Sequence, residues 1–240
     1  MSWLSRILGG ARRDEQAMEE ALAAWNSGRP GVALDLWAPL AHRGNARAQS
    51  NMGAAFLEGR GVERDPAKAV EWLRRAAEQG DVGGQRNLAL CCYEGWGVPQ
   101  DQEEAARWYE KAAEQGDADA QDMLSWMKLV GGGCQQDYAA ARRWAEAAAA
   151  QGRAGAMARL GDIHHDALGV ARDPAEAARW WRQAAELGHP EAQAMLGAAY
   201  LAGKGVEADR AQALQWLEKA EAGGAGEMAA GFLRLAREKA

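Results

Sequence analysis

The sequence is short of proline, of cysteine and of every large aromatic except tryptophan, and each shortage excludes something. Six Pro in 240 residues, with no alternating Val/Ile/Thr runs, leave no strand pattern, so the chain reads as all-α. The three cysteines, Cys91, Cys92 and Cys134, are odd in number and lack a repeating spacing. They argue against a disulfide framework and imply free thiols in a reducing compartment, the cytoplasm. Lys and Arg (28) are outnumbered by Asp and Glu (34), and a net charge of −6 argues against a nucleic-acid binder, which needs a basic face. No apolar run approaches the ~18 residues that span a bilayer, so no integral membrane segment is expected. The opening MSWLSRILGGARRDE lacks the apolar stretch of a signal peptide. Trp3, Leu4, Ile7 and Leu8 are spaced to line one side of a short helix, with Arg12 and Arg13 following. Residues 1–13 are therefore set apart as a tail, suited to a weak membrane-surface contact or to docking on a partner.

Alanine, glycine and tryptophan are abundant, and they recur in register. Trp72, Trp108, Trp144, Trp180 and Trp216 stand 36 residues apart, as do Gly44, Gly80, Gly116, Gly152, Gly188 and Gly224. Asp65, Asp101, Asp137, Asp173 and Asp209 form a third column. Gly61, Gly97, Gly133, Gly169 and Gly205 form a fourth, and Met52, Leu88, Leu124, Leu160 and Leu196 a fifth. Such a period marks stacked supersecondary units, none of which can bury its apolar face alone.

Each column has a physical task. The Asp column precedes a helical run and acts as N-cap, with Pro66 and Pro174 at the first helical position, where a missing N–H costs nothing. In PAKAVEWLRRAAEQG, residues Ala69, Trp72, Leu73, Ala76 and Ala77 share one helix face, and Gly80 ends the run where φ > 0 is needed. On this reading the Trp column is interior, and Trp144→Ala is expected to cost about 3–5 kcal/mol. The preceding segment, AQSNMGAAFLEGRGV, is the first helix of the pair. Its small column (Gly53, Ala89, Ser125, Gly161, Gly197) marks the closest approach of the two axes, and its Met/Leu column fills the space beside it. Both ends depart from the pattern. Trp37 sits one place past the Trp column, in the series of Leu73, Tyr109 and Leu217, while Phe232 keeps the Leu column in a polar terminal helix. The organisation expected is a single solenoid over 14–240. A degenerate repeat at 14–45 leads into five repeats over 46–226, and 227–240 form a capping helix.

The units LGAAYLAGKGVEADRAQALQWLEKAEAGG, EGRGVERDPAKAVEWLRRAAEQGD and EGWGVPQDQEEAARWYEKAAEQGDADAQ resemble the Sel-1-like repeat, a relative of the tetratricopeptide repeat. The resemblance implies a right-handed α/α superhelix of antiparallel helix pairs. It also implies a scaffold or adaptor role in bacterial signalling or complex assembly, with no shared catalytic residues. One branch of that family carries a disulfide in each repeat and has members described as binding or hydrolysing β-lactams; the paired cysteines of that branch are missing here.

The resemblance to tetratricopeptide units implies that the first helix of each pair lines the concave face, and its variable positions are the candidate contacts. Ser50, Arg86, Asp122, Ala158 and Ala194 vary, as do Ala54, Leu90, Trp126, Asp162 and Ala198, and Glu58, Glu94, Val130, Asp166 and Ala202. Steps of four put these columns on one helix face. The predicted partner site centres on Trp126, with Leu90 and Val130 beside it and Arg86, Asp122, Arg159, Asp162 and Asp166 around it, the anatomy of a binding hot spot. The alternative is that the tail or a neighbouring unit covers Trp126. Asp162, His164, His165 and Asp166 are the only concentration of metal-ligand types. His165, however, stands in the apolar column of Leu57, Tyr93, Leu129 and Leu201, so a packing role is expected and no metal. Cys91 and Cys92 fall in core columns. GxxxxGK[ST] is absent and His42 and His189 lie beside glycine turns, which leaves no phosphate loop, no nucleophile–base pair, no cofactor and no enzyme.

Overall fold

The computed structural model describes residues 3–238, with side chains from residue 12. All but the first of its helices are 13 or 14 residues long, and an isolated helix of that length is marginal in water, so packing between helices must stabilise them. The chain divides into two compact units, one ending at Asp117 and the other starting at Ala118. The first holds α1 (Trp3–Asn26), α2 (Pro30–His42), α3 (Ala46–Glu58), α4 (Pro66–Glu78), α5 (Val82–Glu94) and α6 (Gln102–Glu114). The second holds α7 (Ala118–Val130), α8 (Tyr138–Ala150), α9 (Ala154–Asp166), α10 (Pro174–Glu186), α11 (Pro190–Ala202), α12 (Arg210–Gly223) and α13 (Gly226–Glu238). No strand occurs among the described residues. Within each unit consecutive helices pack as pairs and the pairs stack, which is the α/α solenoid expected. Helix α1 runs from Trp3 straight through residue 13. The side chains of Trp3, Leu4, Ile7 and Leu8 lie outside the described residues.

The caps and small columns act as their chemistry requires. Asp65, Asp101, Asp137, Asp173 and Asp209 each accept a backbone N–H of the first helical turn, at 2.8–3.1 Å. Leu88, Leu124, Leu160 and Leu196 are fully buried. A Cβ on Gly161 would stand 2.3 Å from the Trp181 ring, and one on Gly197 would stand 2.6 Å from Leu217, so only a small residue permits these pairs of axes to close. Ser125 fills the same position and donates its hydroxyl to the Ala141 carbonyl at 2.8 Å.

The strict period has a steric cause. In the first unit Gly61 presses on Pro30 and Gly97 on Pro66; in the second, Gly169 presses on Tyr138 and Gly205 on Pro174. In these four repeats the turn rests on the first residue of the previous repeat's second helix, and an inserted residue would lift it off.

A half-buried polar ladder, unforeseen in the sequence, joins the two helices of a repeat and ties them to the repeat before. In the first unit Gln79 donates to Gln49 at 2.7 Å and Gln115 to Gln85 at 2.8 Å; in the second, Gln151 donates to Gln121 at 2.8 Å. Gln49 and Gln85 pass the chain on to the carbonyls of Ala41 and Ala77. Where the next rung would stand, Met157 and Leu187 replace both glutamines together, so neither amide is left unpaired.

Two expectations need correction. The Trp column is not interior: Trp72, Trp108, Trp144, Trp180 and Trp216 are all half-buried, and a cation covers each ring. Arg75, Lys111, Arg143, Arg179 and Lys219 lie 4.8, 4.0, 5.4, 5.3 and 4.3 Å from the respective centroids. The buried series is the next residue along: Leu73, Tyr109, Ala145, Trp181 and Leu217. Both positions fall within the apolar arc of the helix, and the broad ring settles at its edge, where long cationic stems shield it. Trp37 belongs to the buried series and is 2% exposed. Trp144→Ala is accordingly expected to cost only about 1–2 kcal/mol. The second correction is in α13, where Leu233 is the buried residue and Phe232, one place earlier, stays half-exposed.

Candidate partner-binding groove

The first helices of the second unit, α7, α9 and α11, present a groove of about 550 Å³. Its apolar wall comprises Trp126, Leu129, Val130, Met195 and Met228, with Trp181 from α10 behind. Val130 and Met228 are 51% and 44% exposed, so part of the apolar wall faces solvent. Its polar groups are Arg159, Asp162, His189 and Glu191.

Four of the residues singled out from the sequence, Trp126, Val130, Arg159 and Asp162, meet in this groove. Asp122 joins them indirectly: its carboxylate accepts from Arg159, whose guanidinium also reaches the Asp122 carbonyl at 3.2 Å. That ion pair spans two repeats and neutralises the one guanidinium in the groove lining. Asp166 is exposed at the end of α9 and does not line the groove. In the first unit Leu90 is half-buried and Arg86 pairs with Asp117 at 2.9 Å.

Asp162 is the electrostatic centre of the groove. Its carboxylate accepts from the Trp181 indole N–H at 3.0 Å. Burial pushes its pKa above the usual aspartate range and nearby Asp166 adds to the rise, while the Trp181 hydrogen bond, Arg159 and His165 oppose it. A carboxyl whose folded pKa is raised binds its proton more tightly folded than unfolded. Stability is therefore lost as pH rises above the ordinary aspartate value near 3.8 and through the folded value. Asp162→Asn keeps an acceptor for Trp181 and removes the buried charge. Its melting temperature should exceed wild type at neutral pH, with the gap closing below about pH 4. Equal melting temperatures at neutral pH would show that the carboxylate is ionised without cost.

The other titratable candidates play structural parts. His165 packs edge-on against Trp181 with centroids 5.2 Å apart, in the packing role expected. His189 caps α11, accepting from Ala192 N–H at 3.4 Å. Among the described residues no three His, Cys, Asp or Glu side chains converge as metal ligands do. Cys91 and Cys92 are buried and free, and burial pushes their thiols up to about 12 and about 11, far from nucleophilic thiolates.

Several groove residues escaped the sequence reading. Met195 and Glu191 lie on α11, Trp181 comes from a second helix, and Met228 from the terminal half-repeat. Met195 did leave a signal, since its column runs Asn51, Asn87, Met123, Arg159, Met195 and so varies as much as the columns considered.

Stacked helix pairs with a side-chain-lined groove on their first helices define a helical-repeat protein of the α/α solenoid class. The chain belongs to the Sel1 repeat family, whose profile matches residues 46–81, 82–117, 118–152, 154–189 and 190–224. Proteins of this family are generally protein-interaction scaffolds. A solved Sel1 repeat protein from Oxalobacter formigenes is similar over 92% of this chain and 96% of its own, at 28% identity and a TM-score of 0.83. The structure of c5321, described as a protective antigen present in uropathogenic Escherichia coli strains displaying an SLR fold, matches at 30% identity and a TM-score of 0.81. That match covers 93% of this chain but only about half, 49%, of the antigen. The immunity protein Pa5087 of Pseudomonas aeruginosa, at 17% identity and a TM-score of 0.50, shares the fold alone; it covers 89% of this chain and 83% of its own. Among curated sequences none matches. No helix among the described residues is long and apolar enough to cross a membrane.

Proposed function

We propose that the protein is a non-catalytic adaptor of bacterial signalling or complex assembly, acting in the cytoplasm. It takes up a protein or peptide segment on the first-helix face of its second unit. The observation that carries this is the groove itself: an indole, two exposed apolar side chains and a half-buried carboxylate meet on one open face. An aromatic anchor ringed by polar groups is the arrangement that concentrates binding energy in a few residues. The partner segment suited to the groove offers an apolar side chain to Trp126 and a donor or cation to Asp162.

The test is affinity purification from the producing cells with three baits: wild type, Trp126→Ala and Trp144→Ala. Trp144 lies outside the groove lining and serves as the control. Proteins retained by wild type and by Trp144→Ala should be lost with Trp126→Ala, while helicity and melting of the Trp126 variant stay close to wild type. An unchanged set of captured proteins, or a melting drop beyond about 10 °C, would assign Trp126 to the core instead.

A further inference from the structure

A second hollow lies on the same unit, bounded by α9, α10, α11 and α13, with a volume of about 230 Å³. Its floor is apolar, built from Trp181, Met195, Ala198, Ala199 and Phe232. Its charged and titratable rim is of one kind: His165, Arg172 and Lys204, with no acidic side chain in the lining. In a chain of net charge −6 that segregation is unexpected.

Two departures from the repeat create it. Ala198 and Ala202 occupy columns that hold Ala54, Leu90, Trp126 and Asp162, and Glu58, Glu94, Val130 and Asp166, in the preceding repeats, so only this repeat is small at both. The missing side chains leave the hollow, and Phe232, half-exposed because α13 buries Leu233, closes one wall. Arg172 stands in the column of Arg64, Gln100 and Gln136. Each of those donates to the carbonyl seven residues earlier, at 3.0, 2.8 and 2.8 Å. Arg172 makes no such bond, and among the described residues neither it nor Lys204 has an ion-pair partner. Two unpaired cations therefore flank an apolar, ring-lined hollow.

We propose that this hollow binds a small aromatic carboxylate: the ring lies between Trp181 and Phe232, and the carboxylate sits at the rim against Arg172 and Lys204. Sites for drug-sized ligands measure about 300–1,000 Å³, so a volume below that range suits a single ring with a short acidic arm. Charge-assisted bonds from a guanidinium and an ammonium select the carboxylate over a neutral amide. The site is separate from the Trp126 surface, sharing only the Trp181 and Met195 wall, and does not depend on the adaptor reading.

Calorimetric titration of the full chain with hydrocinnamate tests it, with hydrocinnamamide as the neutral match. Saturable binding of the acid is expected, about tenfold weaker for the amide and about tenfold weaker for Arg172→Ala combined with Lys204→Ala. Both substituted residues are exposed, so this variant should keep its fold. Ala198→Phe, which fills the hollow, should abolish binding. No saturation by about 10 mM, equal affinity for acid and amide, or full binding to the double variant would overturn the proposal. So would a tenfold preference for a peptide ending in Phe with a free carboxylate, which would assign the hollow to a chain terminus.

Discussion

Gly205→Ala should destabilise the protein by about 3–5 kcal/mol, two to three times as much as Gly188→Ala, although both glycines are exposed. The two share a positive φ, +77° and +87°, which costs alanine about 1–2 kcal/mol. They differ in what a new methyl would meet. At Gly188 nothing lies within 4 Å, whereas at Gly205 the Cβ would stand 1.9 Å from the Pro174 carbonyl oxygen. Backbone cannot swing away as a side chain can, so the turn must lift off the preceding repeat. For a chain this long, each kcal/mol lowers the melting temperature by about 2–4 °C. Gly188→Ala should therefore cost about 2–8 °C and Gly205→Ala about 6–20 °C in thermal melts followed by circular dichroism. Equal losses would mean that the turn contact does not hold the stack.

The adjacent pair Trp180 and Trp181 provides the second large effect with its own control. Trp181 is 4% exposed, fills the space left by Gly161 and donates to Asp162. Truncating it to alanine leaves a large cavity and a carboxylate without its donor, for a cost of about 3–5 kcal/mol. Trp180 is half-buried with the Arg179 guanidinium 5.3 Å from its ring, and Trp180→Ala should cost about 1–2 kcal/mol. Denaturant titration of both variants measures the difference directly. Trp180→Ala as the costlier change would restore the interior role first expected of the Trp column.

The contrast shows what the amino-acid order does and does not reveal. The repeat unit, its caps and its small column were legible because each rests on backbone chemistry local to a few residues: an Asp before a helix, a Gly at positive φ, a small residue at a helix crossing. The burial of the Trp column was misjudged because periodicity places two neighbouring columns on one arc and does not say which faces inward. The glutamine ladder went unseen because its partners lie 30 residues apart, at the start of one helix of a repeat and the end of the other. Trp126, Val130, Arg159 and Asp162, which line the candidate groove, could be singled out because they vary where the architecture leaves them free. Trp181 was missed because a groove also draws on the second helix behind it. The basic hollow was missed for a related reason: Ala198 and Ala202 were noted as variable, but small residues read as absences rather than as space.

The adaptor account is tested most directly by hydrogen–deuterium exchange on the full chain with and without a partner captured by wild type and lost by Trp126→Ala. Added protection should fall on α7, α9 and α11, over Trp126, Asp162 and Met195. Protection confined to α8, α10 and α12, beneath Trp144, Trp180 and Trp216, would place the partner on the tryptophan-bearing helices and contradict the account.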